Sequence, residues 1–197
     1  EQAVAAGVAP PEKFTTVYSG MDVGAFLNPA EPVGRVRLKY ALPEDATVVV
    51  KVARLFHLKG HEDLLRAFAQ VASRHPTVWL LLVGDGVLRG RLERLAQRLG
   101  IDARVRFAGL VPSDEVPSLI HASDLLVHAS YREGLARVLP QALLCGRPAI
   151  SYDIDGAPEV VHPGETGLLV PPGDWHGLAR AIDTLLSDKA LRQRMGE

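Results

Sequence analysis

From Thr47 onward the apolar positions alternate between two spacings. Thr47 to Val52 is a dense run of β-branched, apolar residues without polar alternation, the pattern of a strand covered on both faces. Gly60 to Ser73 instead places Leu64, Leu65, Phe68 and Val71 at helical intervals. Val78 to Val83 is a second strand, closed by Gly84-Asp85-Gly86. A helix follows over Leu88 to Leu99, with Leu88, Leu92, Leu95 and Leu99 on one stripe and Gly100 at its C-cap. The spacing then predicts a strand at Val105 to Ala108, a helix at Ser113 to Ala122 capped by Ser113, a strand at Asp124 to His128 and a helix at Leu135 to Cys145. Two more strands, Ala149 to Tyr152 and Gly167 to Val170, precede a turn at 171–174. There Asp174 is placed to cap an amphipathic helix, Trp175 to Leu186. Strand and helix repeating at this interval predict an α/β domain over residues 47–197, a Rossmann-like, doubly wound parallel sheet with helices on both faces.

Residues 1–46 break the pattern. Pro10-Pro11 leads into a short strand expected at Thr15 to Tyr18, a turn at 19–22 and proline-broken sequence to about Pro43, which reads as a linker into the domain. The chain starts without Met and reads as an excised segment. Its 22 Lys and Arg against 23 Asp and Glu advertise neither nucleic acid nor an anionic membrane as a partner. The single cysteine, Cys145, excludes an internal disulfide, fits a reducing compartment and falls in an apolar helix run where it reads as a small buried hydrophobe. No apolar run approaches the ~20 residues of a membrane span.

Candidate chemistry gathers where predicted strands end. Glu133 and Gly134 close a strand where a helix begins, and Gln141 lies eight residues on. Such strand-to-helix junctions in open α/β sheets bind phosphorylated ligands. Eight helical residues span roughly 12 Å, wider than the ~5–9.5 Å between glycosidase carboxylates, so this spacing suits gripping two ends of a long ligand. Arg54 and Lys59 flank the loop after the first core strand. A pyrophosphate needs two such cations, Arg as a bidentate partner and Lys as a point charge, and the competing reading is a pair of solvated surface cations. Gly84 and Gly86 serve either ligand approach or a tight turn. Glu115 is either a site residue or a first-turn acid. His57 reads as an exposed loop residue and His128 as a satisfied core histidine, while Asp153-Ile154-Asp155-Gly156 reads as a turn. No cluster has metal-ligand spacing, and neither a Gly-x-Ser-x-Gly elbow nor a Walker loop is present.

Taken together, Ala53-Arg54-Leu55 through Lys59-Gly60, Val83-Gly84-Asp85-Gly86, Phe107-Ala108-Gly109, Glu133-Gly134, Glu159-Val160-Val161 with Gly164, and Thr166 through Asp174 resemble the C-terminal, nucleotide-sugar-binding half of a GT-B glycosyltransferase of family 4. Tyr18-Ser19-Gly20-Met21-Asp22 is similar to that family's interdomain turn. The resemblance implies a cytoplasmic enzyme, peripheral to a membrane if its missing half makes that contact. It implies transfer from a nucleoside-diphosphate sugar, UDP- or GDP-linked, to an acceptor hydroxyl with retained configuration, without a metal bound through Asp-x-Asp and without a further cofactor. A missing N-terminal half would bind the acceptor. Arg54 and Lys59 would stabilise the leaving diphosphate and Glu133 would position the sugar. Gly134, Leu135 and Ala136 would offer backbone N–H groups, Leu110 and Val111 would frame the base, and Gln141 would hold the ribose. The family usually has Glu at 141 and Gly at 136, so this chain departs from it at both. Two other functions fit the same residues: a nucleotide-binding module without catalysis, or a GT-B hydrolase or epimerase of nucleotide sugars.

Overall fold

Six short strands line up in the order β3-β2-β1-β4-β5-β6, every neighbouring pair parallel. They are β1 (Thr47–Val52), β2 (Val78–Val83), β3 (Val105–Gly109), β4 (Leu125–His128), β5 (Ala149–Tyr152) and β6 (Gly167–Val170). This computed structural model describes residues 2–15, 17 and 20–197. Its helices are α1 (Gln2–Ala5), α2 (Gly24–Leu27), α3 (Val33–Lys39), α4 (His61–Ala72), α5 (Arg89–Arg98), α6 (Val116–His121), α7 (Val138–Leu144), α8 (Trp175–Ser187) and α9 (Lys189–Arg194).

The β1 valines show why both faces must be covered. Val49 packs with α4, α5 and α8 on one side, while Val48 and Val50 pack with α6 and α7 on the other. All three are fully buried. The strand order reverses between β1 and β4, and in open α/β sheets the ligand crevice forms outside the C-terminal ends of the strands at that point.

From Thr47 onward the expected elements appear, with two helix starts displaced for one reason. The helix expected from Leu135 begins at Val138, and the helix expected from Ser113 begins at Val116. Each carries a proline early, Pro140 and Pro117. Proline has no N–H and its ring collides with the carbonyl four residues back, so it is tolerated only in a helix's first turn. Glu133 therefore lies five residues ahead of α7 and not on it, which removes the 12 Å helical spacing to Gln141. Ser113 sits in a turn and does not cap α6. Asp174 does cap α8, its Oδ1 accepting from the Gly177 N–H at 2.7 Å, and Gly100 closes α5 with its N–H 2.9 Å from the Gln97 carbonyl.

Ahead of β1, Thr15 and Val17 belong to no strand. Thr16 and Tyr18 of that expected strand, and Ser19 of the expected turn, lie outside the described residues. From α2 onward the segment packs onto the sheet, burying Phe26, Val36, Leu42 and Ala46 in the α6–α7 core.

Candidate functional site

The loop leaving β1 is clamped from two sides. Toward β2, the Leu55 N–H donates to the Asp85 carbonyl at 2.9 Å and the Leu88 N–H to the Leu55 carbonyl at 3.1 Å. A Cβ on Gly84 would lie 2.2 Å from the Ala53 carbonyl oxygen, and one on Gly86 2.6 Å from that of Leu55. Toward β4, the Tyr131 N–H donates to the Leu58 carbonyl at 2.9 Å. Gly60, at φ +61°, sits so close to β4's exit that a Cβ would fall 1.8 Å from the Ala129 carbonyl oxygen. The His61 ring closes the loop from beneath, its Nε2 2.9 Å from the Arg54 carbonyl.

These clamps bring Lys59 against Glu133, 74 residues away, in an ion pair whose side chains are about one-fifth exposed. Glu133 is held from behind: its N–H donates to Asp155 Oδ2 at 2.8 Å, and Asp155 adopts φ 45° to present that oxygen. His128 Nε2 lies 3.5 Å from Glu133 Oε1, too long for a well-formed hydrogen bond. The His128 ring, and after it the Lys59 ammonium, hold the Glu133 carboxyl down to about 2 against the opposing effect of partial burial. Burial in turn lowers the pKa of His128, so an ionised carboxylate faces a neutral imidazole at neutral pH.

Between the loops lies a cleft of about 300 Å³, lined by Val52, Ala53, Arg54 and Lys59 on one side and His128, Glu133, Leu135, Ala136, Arg137 and Val138 on the other. Arg54 is exposed, its guanidinium stacked 5.6 Å from the Phe56 ring centroid. Among the described residues, the N–H groups of Leu135, Ala136, Arg137 and Val138 donate to no protein acceptor. Three cations and four N–H groups against one already paired carboxylate make a site for an anion.

The structure thus brings Arg54, Lys59, Glu133, Leu135 and Ala136 together. The other expected residues lie outside the cleft lining. Gly84 and Gly86 are needed by the protein's own backbone contacts, as above. Leu110 is exposed beyond β3 and Val111 is half-buried against the α6–α7 core. Gly134 is exposed, its carbonyl accepting from the Gly156 N–H at 3.2 Å. Gln141, half-buried on α7, lies one turn beyond the cleft-lining Arg137 and Val138 on the same face. Glu115 pairs with Lys39 at 2.6 Å, away from the cleft. Cys145 is buried and its thiol is pushed up to about 12 by that burial, an inert core residue.

Four features escape the sequence reading. His128 is buried, but neither ring nitrogen has a hydrogen-bond partner, so it is not the satisfied core histidine expected. Arg137 joins the cleft and Asp155 positions Glu133, both through tertiary contacts that spacing does not encode. Lys51 breaks the apolar run of β1 and is fully buried with its amine unpartnered. It alone carried a visible signal, a charge inside a buried strand.

The profile of the group 1 glycosyl transferases matches residues 34–197. The chain belongs to the group 1 glycosyltransferases. Among its relatives, the lipopolysaccharide core biosynthesis glycosyltransferase LpsE of Rhizobium meliloti is 38% identical over 161 residues, 82% of this chain and 46% of that protein. The N-acetyl-alpha-D-glucosaminyl L-malate synthase of Bacillus anthracis is 32% identical over 190 residues, 96% of this chain and 49% of that one. The crystal structure of Anabaena Alr3699/HepE in complex with UDP-glucose superposes with a TM-score of 0.89 at 29% identity, over 99% of this chain and 54% of that one. The C-terminal domain of LpcC, a group 1 family protein from Francisella tularensis, is 23% identical and shares the fold with a TM-score of 0.76, covering 90% of this chain and 93% of that domain. The group 1 chain therefore spans about half the length of the curated relatives it matches, and its fold is that of a GT-B C-terminal domain. No helix among the described residues is long and apolar enough to cross a membrane.

Proposed function

We propose that this domain binds the nucleoside-diphosphate sugar of a retaining glycosyltransferase in the cleft between the β1 and β4 loops. One observation carries the reading: at the sheet's switch point, two cations from the β1 loop meet a fixed carboxylate from the β4 loop beside a row of unused N–H groups. The HepE structure with UDP-glucose supports a uridine donor.

In this reading the diphosphate lies on Arg54, Lys59 and the N–H groups of 135–138. As the bond between sugar and diphosphate breaks, negative charge grows on the leaving oxygen. Donors already in place stabilise it without rearranging. Glu133, ionised throughout the physiological range, accepts a hydrogen bond from a sugar hydroxyl and fixes the ring against the leaving group. Gln141 holds the ribose with one acceptor and two donors, where a carboxylate would give two charged acceptors. Gly134 gives the chain room to approach the sugar, while Gly84 and Gly86 hold the β1 loop in place. Leu110 and Val111 border the base. Residues 1–46 connect to a second domain that binds the acceptor, so this segment alone transfers little or no sugar. Calorimetric titration with UDP, GDP and ADP tests the assignment. UDP should bind best, and Arg54→Ala should weaken it by about 1.5–3 kcal/mol, the cost of one charged hydrogen-bonding partner. Equal binding by wild type and Arg54→Ala would sink the assignment.

A further inference from the structure

Among the described residues, six buried side-chain polar atoms lack a hydrogen-bond partner, and five of them belong to Lys51, His61, His128 and Ser130. Lys51 and His128 lie at the C-terminal ends of β1 and β4, Ser130 lies two residues past β4, and His61 opens α4 with its ring against the Arg54 carbonyl of the β1 loop. Lys51 is the least expected of them. It is the fifth residue of β1, in register with Leu82, and shares its face of the sheet with Val49, under α4.

The groups acting on its amine come from several elements: His61 and Asp63 from α4, Lys59 from the turn after β1, His128 from β4 and Glu133 from the loop after it. None serves as a counter-ion. Asp63 Oδ2 already accepts from the hydroxyls of Tyr131 and Tyr152, the latter at 2.7 Å. Glu133 is neutralised by Lys59. His61 is uncharged, since burial and then the nearby Lys51 bring its pKa down to about 3. Its Nε2 must donate to the Arg54 carbonyl, which only accepts, and its Nδ1 is left as a bare acceptor with no partner. Burial, and then repulsion by Lys59, bring the Lys51 amine down to about 7. No carboxylate is paired with the Lys51 amine, which has no hydrogen-bond partner. A diphosphate set on Arg54 and Lys59 adds negative charge above it and favours the protonated amine.

Resting on the donor reading above, we propose that Lys51 is a charge-responsive positioning residue: it takes up a proton from solvent as the donor's diphosphate settles on Arg54 and Lys59, which makes donor binding proton-linked through a side chain the donor never touches. The charged amine then has a favourable field above it, and it supports the loop from below in its ligand-holding position.

The test is calorimetry of UDP binding to the 197-residue protein in buffers of different ionisation enthalpy. At pH 8 the terminal phosphate of UDP, with a pKa near ~6, is already ionised, so uptake reports on the protein. Uptake of roughly 0.3–0.9 proton per UDP is expected at pH 8, falling toward zero at about pH 10, where the amine is neutral with UDP or without it. Wild-type affinity should weaken about fivefold from pH 7 to 9 for each unit by which UDP raises the amine's pKa. Lys51→Met should lose both the uptake and the slope, while His57→Gln, removing the exposed imidazole on the same loop, should keep both. Carbon-13 labelling of the lysine side chains gives a second readout that needs no variant to fold: one amine titrating near neutrality, displaced upward by at least one unit when UDP is added. UDP binding with no proton uptake, uptake that survives Lys51→Met, or a lysine titration unmoved by UDP would each overturn the proposal and leave the donor reading standing. Absence of binding heat with UDP, GDP and ADP alike would overturn the donor reading, and this proposal with it.

Discussion

Glu133 and Lys51 make opposite demands on their surroundings, and each gives a measurable consequence. Glu133 keeps its charge because His128 and Lys59 lie against it, so it stays ionised well below neutrality. Its folded value, about 2, lies below the unfolded 4.5. Its contribution to stability is therefore fully present above about pH 4.5 and is lost as pH falls toward 2. Glu133→Gln should flatten the acid limb of a thermal-stability profile between those values. It should leave UDP binding intact or tighter, since a negative charge beside the diphosphate is removed, while erasing any preference for a UDP-sugar over UDP. Competition binding of the two ligands reads this directly. Lys51 is the reverse case. Its folded value, about 7, lies below the unfolded 10.5, so the unfolded chain holds the extra proton between those values and stability rises with pH across that window. Lys51→Met should stabilise the fold by roughly 1–4 kcal/mol, the range found when buried charges give way to well-packed apolar groups, and by more at pH 6 than at pH 10. Scanning calorimetry at the two pH values decides it. Arg54, Lys59 and Glu133 were legible in the sequence because each follows an apolar run closely and carries a charge with no helical stripe to join. The charge of Lys51 inside an apolar strand was also visible there, but its missing partner and that of His128 were not, because whether a buried polar group finds a partner is settled by tertiary neighbours.

At the scale of the element, the positions that hold the site are backbone contacts more than side-chain ones. Gly60 is left-handed and pressed on the Ala129 carbonyl, so Gly60→Ala carries both a strained φ and a collision that only backbone movement relieves. A loss of roughly 2–4 kcal/mol is expected, with nucleotide affinity falling alongside because Lys59 shifts with the loop. Urea unfolding and a UDP titration of the same variant measure the two effects. Asp174 offers the milder comparison: Asp174→Ala removes the α8 cap and should cost about 1 kcal/mol without changing UDP affinity, because α8 lies outside the cleft. Element type was legible throughout the sheet region, where apolar spacing alone separates strand from helix. Helix starts were less so, although Pro117 and Pro140 stood in the sequence as the residues that set them. The roles of Gly84 and Gly86 could not be divided between ligand and turn until their distances to Ala53 and Leu55 were known.

Across the whole molecule, the alternation of strand and helix sufficed for an α/β parallel sheet, but periodicity carries no information on strand order. The placing of β1 beside β4, and with it the juxtaposition of Lys59 and Glu133, emerges only from the structure; the resemblance implied that both residues serve one donor and gave no strand order. A ligand that binds only the folded state stabilises it by about 2.7 kcal/mol at one hundred times its dissociation constant. In a chain of this size that raises the melting temperature by roughly 5–11 °C. UDP should produce that shift in wild type and little of it in Arg54→Ala, as thermal scans at one and the same UDP concentration would show. The 74-residue separation of Lys59 and Glu133 also has a consequence during synthesis. The β1 loop is made early, yet its acidic partner emerges only after β2, β3 and β4 have been translated, and contacts between distant segments form late because the intervening chain must first be ordered. A nascent or truncated chain can thus hold Arg54 and Lys59 without Glu133 and the rest of the cleft lining, and a ligand that needs both loops would favour only chains whose synthesis had run past β4.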